Sequence, residues 1–326
     1  MCTAVTYKTK DHYFGRNLDL EYSYNETVTI TPRNYVFRFK KISDIKSHFA
    51  MIGMAYVVDE YPLYYDATNE MGLSMAGLNF PDNAHYKPYC QDKENITPFE
   101  IIPWILCQCA TVDEAEKLLQ GINLLSESFS NDLSLSPLHW IISDNNRSIT
   151  LEAVESGIMI YNNPVGVLTN NPTFDYQVFN LNNYMSLTSG DIQKTFSVSK
   201  YLKLKTYSRG MGAMGLPGDY SSMSRFVKAS FVKTNSVSSN SENDSVSQFF
   251  HILKSVEMPR GCLKVGEGSY AVTLYSSCCN TDRGIYYYTT YDNSRICAIN
   301  MHKENLNSST LIQYPLQKEQ SIEHMN

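Results

Sequence analysis

Met1-Cys2-Thr3-Ala4-Val5-Thr6-Tyr7-Lys8-Thr9-Lys10-Asp11-His12-Tyr13-Phe14-Gly15-Arg16-Asn17-Leu18-Asp19 opens the chain. Two runs of β-branched and aromatic residues flank the turn Lys8-Thr9-Lys10-Asp11, the pattern of a β-hairpin. A hairpin returns the end of its second strand to the start of its first, so Arg16 and Asp19 are expected beside Cys2. A small residue at position 2 lets the cell trim Met1, and the chain would then begin with a cysteine carrying both a thiol and a free α-amine. That pair is a nucleophile with its own base. A thiol titrates near ~8.5 and an α-amine near ~7.7–8.0, so a proton can pass between them near neutrality. An adjacent arginine favours thiolate, and an aspartate can hold the amine.

The remaining sequence describes a globular chain. Of 326 residues, 43% are hydrophobic and 18% charged, enough apolar material for a substantial core. The net charge of −6 and the lack of a basic run argue against nucleic-acid binding. No 18-residue apolar stretch and no leader pattern is present, so neither a membrane span nor a signal peptide is expected, and a cytoplasmic location follows. Eight cysteines in such a chain are expected as free thiols. Cys107-Gln-Cys109 and Cys278-Cys279 lack zinc-site spacing, so no metal is expected.

Hairpin patterns alternate with helical ones. Thr97-Pro98-Phe99-Glu100 and Thr111-Val112-Asp113-Glu114 read as capping boxes that open two helices, Ile101–Cys109 and Ala115–Gln120, expected as an antiparallel pair. Strands are expected at Leu138–Ile142, Ser148–Ala153 and Gly157–Tyr161, and a late hairpin at Gly284–Thr290 and Arg295–Asn300. Ser222–Phe231 and Val246–Val256 look helical, the second with Val246, Phe249, Phe250, Leu253 and Val256 on one face. Thr234–Ser245 between them reads as a polar loop. The prevalence of hairpins predicts an α+β fold of two mostly antiparallel sheets with helices outside, a four-layer αββα sandwich formed as a single domain over residues 1–326. Gly210-Met211-Gly212-Ala213-Met214-Gly215 spells a dinucleotide fingerprint, but Leu216-Pro217-Gly218-Asp219 follows in place of a helix, so that function is rejected. His139 beside Trp140 reads as a packed strand residue.

Five motifs in order carry a family resemblance: Met1-Cys2-Thr3; Phe14-Gly15-Arg16-Asn17-Leu18-Asp19; Ala76-Gly77-Leu78-Asn79-Phe80; Gly166-Val167-Leu168-Thr169-Asn170-Asn171-Pro172; and Gly215-Leu216-Pro217-Gly218-Asp219 through Ser224-Arg225-Phe226. Over essentially its whole length the chain resembles bacterial bile salt hydrolases (choloylglycine hydrolases), members of the N-terminal nucleophile hydrolases. The resemblance implies an amidase that cleaves glycine- or taurine-conjugated bile salts without metal or organic cofactor. It implies Cys2 as nucleophile, Arg16 and Asp19 supporting thiolate and amine, Asn79 and Asn170 at the oxyanion and substrate-positioning site, and Arg225 completing the charged surround. It also implies a homotetramer, for which Ser186–Arg209 is a candidate assembly arm. Penicillin V acylases share Cys2, Arg16 and Asp19 but usually carry tyrosine at the position of Asn79, which favours bile salts here. An inactive bile-acid-binding homologue is the other alternative. A rigid steroid needs an apolar wall, for which Leu20, Tyr22, Tyr24, Tyr65, Phe129 and Leu138 are candidates, within the wider runs Tyr61 to Tyr65 and Phe129 to Leu138.

Overall fold

The computed structural model describes residues 1–192 and 196–326. In chain order its strands are β1 (Cys2–Lys8), β2 (His12–Leu20), β3 (Thr27–Thr31), β4 (Met51–Val58), β5 (Tyr61–Asn69), β6 (Ser74–Asn79), β7 (Glu94–Ile96), β8 (Ile122–Leu124) and β9 (Leu138–Ser143). They continue with β10 (Ser148–Val154), β11 (Gly157–Asn162), β12 (Val167–Leu168), β13 (Lys264–Gly266), β14 (Ser269–Tyr270), β15 (Val272–Asn280), β16 (Ile285–Thr290), β17 (Asn293–Asn300) and β18 (Ile312–Pro315). The α-helices are α1 (Ile101–Gln108), α2 (Val112–Leu119), α3 (Phe174–Asn180), α4 (Ser222–Asn235) and α5 (Glu242–Lys254).

A six-stranded sheet runs β12-β1-β2-β15-β16-β17, and an eight-stranded sheet runs β11-β10-β9-β6-β5-β4-β3-β18. Every pairing within these two sheets is antiparallel. The sheets face one another where β1 and β2 meet β6. Helices α4 and α5 cover the outer face of the smaller sheet, and α1 and α2 that of the larger. One apolar cluster fills the space between the sheets and under α4 and α5; a second lies under α1 and α2. This is the expected αββα sandwich. Of the five residues expected on one helix face, Val246, Phe249, Phe250 and Leu253 are buried on α5, and Val256 is buried just beyond its end at Lys254.

Several local expectations change. Helix α1 starts only at Ile101, because the Glu100 carboxylate turns back to accept from the Thr97 N–H (3.1 Å) and hydroxyl (2.7 Å) and from the Lys40 N–H (2.6 Å). The box therefore caps a turn ahead of the helix. The second box forms as expected on one side, with the Glu114 N–H donating to Thr111 Oγ1 at 3.2 Å. Helices α1 and α2 do not pair: α1 lies on β5 and β6, and α2 lies on β10. Only Cys109–Thr111 joins them, extended at Cys109 and Thr111, so each helix buries its apolar face on the sheet. The loop expected at Thr234–Ser245 shrinks, since α4 runs on to Asn235 and α5 begins at Glu242. His139 is fully buried, stacked on Phe80 at 4.1 Å and bonded to Glu152 at 3.0 Å, a packed residue as expected.

Gly15 shows how closely β2 and β15 approach. A Cβ built there would lie 1.9 Å from the Ser277 carbonyl oxygen, which is backbone and cannot give way. Gly15→Ala is expected to destabilise the protein by at least about 2 kcal/mol, read as a lowered urea midpoint.

His12, on the same strand, is buried with Nε2 3.1 Å from Ser143 Oγ. Burial, reinforced by the Lys8 ammonium, depresses its imidazole to about 4. An unfolded chain takes up this proton near ~6.5. Between those values the unfolded state binds more protons, so stability falls as pH drops from ~6.5 toward about 4, by up to about 3 kcal/mol. His12→Gln should remove this contribution: its urea midpoint should fall less between pH ~7.5 and ~5 than that of the wild type.

Candidate active site

The β1–β2 register pairs Cys2 with Leu18 and Thr3 with Asn17. Side chains alternate along a strand, so Cys2, Arg16, Leu18 and Leu20 share the face toward the other sheet, and all four line one cavity. Asn17 and Asp19 point the other way, toward the helices, where the Asn17 amide donates to the Leu253 carbonyl of α5 at 3.0 Å. The pleat thereby divides the hairpin's charges. Arg16 is on the side of the Cys2 thiol, while Asp19 lies beyond the end of β1, at the level of the chain's amino group.

Main-chain atoms fix that end of the chain. The Met1 ammonium donates to the Asp19 carbonyl oxygen at 2.5 Å, and the Asp19 N–H donates to the Met1 carbonyl at 2.9 Å. The Cys2 N–H donates to Asn170 Oδ1 at 2.9 Å. Arg225 of α4 donates to the Cys2 carbonyl, to Thr3 Oγ1 at 2.7 Å and to Asn170 Oδ1 at 2.7 Å. Asn170 Nδ2 donates to the Asn79 carbonyl at 2.6 Å. Asn170 therefore turns its oxygen, not its NH2 group, toward Cys2. It is braced from behind by Ser222 Oγ, which accepts its N–H at 2.8 Å, and by Gln177 Nε2, which donates to its carbonyl at 2.9 Å. The neighbouring Asn171 donates instead to the Pro81 carbonyl at 2.6 Å, which separates its role from that of Asn170.

Cys2, Arg16, Asp19, Asn170 and Arg225 are all buried. Arg16 donates through Nη1 to the carbonyls of Tyr65 (3.0 Å) and Gly77. Burial opposes its charge, but Cys2, Tyr275, Asp66 and Asp19 together hold the guanidinium above its ordinary value. Burial raises the Asp19 carboxyl, against the pull of Arg225, the amino terminus, Thr273 and Arg16. Burial likewise lowers Arg225, against Asp19 and Cys2. Thr273 Oγ1 donates to Asp19 Oδ1 at 2.6 Å. Arg16 Nη2 and Asp19 Oδ2 are buried without a partner among the described residues. Asn79 lines the cavity, and among the described residues its side chain makes no hydrogen bond. The arrangement presents a thiol beside a fixed positive charge, a free amide donor, and a main-chain nitrogen held by an acceptor.

The cavity has a volume of about 320 Å³. Its wall includes Leu20, Tyr24, Tyr65, Phe129 and Leu138 of the six expected wall residues. Tyr22 is not among them: it follows the end of β2, is 59% exposed, and meets the wall from outside, its ring 5.0 Å from that of Tyr24 and its hydroxyl 2.8 Å from the Tyr24 hydroxyl. Of the wider runs, Leu63, Tyr64, Leu133 and Leu135 contribute, whereas Tyr61 packs behind the wall against Phe99 and Phe129. Leu18, Tyr56, Gly77, Pro98, Phe99, Ile102 and Ser128 also line it, beyond the expected residues. Leu18 was available from period-two alternation with Arg16 and Leu20. Thr273, Gln177 and Ser222 left no local signal, because each reaches the site from a distant segment.

A family model for linear amide C–N hydrolases of the choloylglycine hydrolase family matches residues 2–314. The bile salt hydrolase/transferase of Lactiplantibacillus plantarum is 56% identical over 319 residues, covering 98% of each chain. The structure of the C2A mutant of conjugated bile acid hydrolase from Clostridium perfringens superposes with a TM-score of 0.92 at 37% identity, covering all of both chains. Penicillin V acylase from Agrobacterium tumefaciens shares the fold, with a TM-score of 0.74 at 20% identity over 96% of this chain and 90% of its own.

Proposed function

The chain belongs to the choloylglycine hydrolase family of linear amide C–N hydrolases, and from that premise we propose how its residues share the work. The enzyme hydrolyses the amide that links a bile acid to glycine or taurine. Residues 1–326 act as one domain, and Met1 is removed. The freed α-amine of Cys2 stays on Asn170 Oδ1, with Asp19 on the same side. It takes the thiol proton directly or through water, and the thiolate next to Arg16 attacks the amide carbon. The amine returns the proton to the departing glycine or taurine, and water cleaves the thioester. Asn79 donates to the oxyanion. Asn170 serves as the acceptor that holds the amine, since its own NH2 group is engaged, and Arg225 locks Asn170 and the Cys2 carbonyl in place.

The observation that carries this reading is the position of Cys2, with its thiol on the floor of an apolar cavity beside Arg16 and its nitrogen on Asn170. The test is a brief reaction with glycocholate followed by acid quench and intact mass. A cholyl adduct on Cys2 is expected, and glycocholate turnover that continues unchanged after Cys2 is fully alkylated, by peptide mass, would rule out the thioester. Asn79→Ala should lower kcat by about 10²–10³-fold, the cost of one oxyanion donor. Equal kcat values for Asn79→Ala and wild type would remove it from that role.

Assembly and location complete the proposal. Among the described residues no helix is long and apolar enough to cross a membrane. All eight cysteines are free, which supports the cytoplasm, and fractionation of cells tests it. Ser186–Arg209 is offered as the arm of a homotetramer; residues 193–195 of it lie outside the described residues. Tyr201 and Tyr207 are 84% and 80% exposed, an apolar surface suited to a second copy. Light scattering at the monomer mass would exclude it.

A further inference from the structure

Asp66, on β5 of the larger sheet, is buried and takes no part in the mechanism above. Three hydroxyls from the smaller sheet converge on its carboxylate. Tyr275 donates to Oδ1 at 2.7 Å, Tyr286 to Oδ2 at 2.7 Å, and Ser277 to Oδ2 at 3.3 Å. Burial raises the Asp66 carboxyl, and the Arg16 charge and the three hydroxyls, each able to donate to it, work against that and favour the carboxylate. Ser277 Oγ also accepts the Arg16 main-chain N–H at 3.2 Å, and the Arg16 guanidinium donates to the carbonyl of Tyr65, the residue before Asp66. Arg16 itself has no ion pair within 4.0 Å among the described residues and one unpartnered buried nitrogen. Its charge still needs a counter-charge in a dry interior.

Four buried charged side chains, Arg16, Asp19, Asp66 and Arg225, lie on or against the opening hairpin, Asp66 being joined to it through Ser277, which also accepts the Arg16 N–H. Arg225 is drawn most strongly by Asp19, and Asp66 by Arg16. With both carboxylates ionised, two cations and two anions cancel and the thiol and amine exchange a proton within a neutral frame; burial raises both carboxyls, so this balance weakens as pH falls. We propose that Asp66 is a positioning residue for acyl transfer: gripped by Tyr275, Tyr286 and Ser277, it balances and aims Arg16 and so sets the charge that Cys2 experiences. The proposal rests on Arg16 acting on the Cys2 thiol. The other ionisable group facing Asp66 is the Cys279 thiol on β15.

The test is the pH dependence of Cys2 alkylation by iodoacetamide in the processed enzyme, read by peptide mass at Cys2 and accompanied by glycocholate kinetics and thermal melts. Asp66→Asn keeps the shape and leaves the frame positive. Its alkylation midpoint should move about one unit toward acid, about tenfold faster alkylation below the midpoint. Its kcat should fall at least about tenfold with KM within about twofold. A lower melting temperature with wild-type midpoint and kcat would make Asp66 merely a rivet between the sheets, and the proposal fails. If Asp66→Asn does not fold, Tyr286→Phe keeps the charge and removes one donor, making the carboxylate easier to protonate. Its kcat relative to wild type should then be lower at pH ~5 than at pH ~7.5, and an unchanged profile overturns the idea. Arg16→Gln separates the two levels. It should move the Cys2 midpoint toward base, and if it does not, the role of Arg16 itself is wrong. If Arg16→Gln moves the midpoint and Asp66→Asn does not, only the role of Asp66 is lost.

Discussion

Cys2→Ala is expected to fold normally and to lose hydrolysis of conjugated bile salts by roughly 10⁴-fold or more. The change removes one buried sulfur, and the main-chain bonds that fix β1 remain. No other thiol can substitute, because Cys2 alone among the eight cysteines lines the cavity. What survives is binding and the Asn79 donor, which lack a nucleophile to act on. Melting curves and product quantitation by mass spectrometry check both halves. Activity within about tenfold of wild type would exclude Cys2 as the nucleophile.

Retention of Met1 should be nearly as damaging, lowering kcat by about 10²–10⁴-fold, the range of a lost general base. In the Met1-bearing chain the Cys2 nitrogen is an amide, able to donate to Asn170 Oδ1 but not to accept the thiol proton. The nearest amine is then that of Met1, which is directed onto the Asp19 carbonyl oxygen. Protein made under inhibition of methionine aminopeptidase provides the comparison. Activity should scale with the fraction of chains that lack Met1 by intact mass, and full activity in fully Met1-bearing protein would disprove the α-amine's role.

The sequence revealed what is local and repetitive. The opening hairpin, the inner face of α5, and the antiparallel run from Leu138 to Asn162 each follow from spacing within a few residues. The family resemblance brought Asn79, Asn170 and Arg225 to the same place as Cys2, something no local pattern could do across that separation. The central strand β15 was not legible. Val272-Thr-Leu-Tyr-Ser-Ser-Cys-Cys-Asn280 lies between β2 and β16, is buried on both faces, and is rich in small polar residues, so it shows no alternation. Its hydroxyls are satisfied by side chains from elsewhere, such as Thr273 on Asp19 and Ser276 on Asn17. The orientation of Asn170 was hidden for the same reason: which end of an amide faces Cys2 depends on Arg225 and the Asn79 carbonyl, both set by tertiary contacts. Tyr22 misses the wall because β2 ends at Leu20 and the turn that follows leaves its side chain largely in solvent, while Tyr24 two residues on reaches the cavity.

The two ends of the chain also differ as attachment points. β1 is not an edge strand; it is flanked by β12 and β2, and its first residue is tied to Asn170 and Arg225. Residues 317–326 run beyond β18 and are exposed throughout. A purification handle, a fluorophore or a link to a solid support can therefore be carried after Asn326, while the same group placed ahead of Cys2 would occupy the catalytic amine.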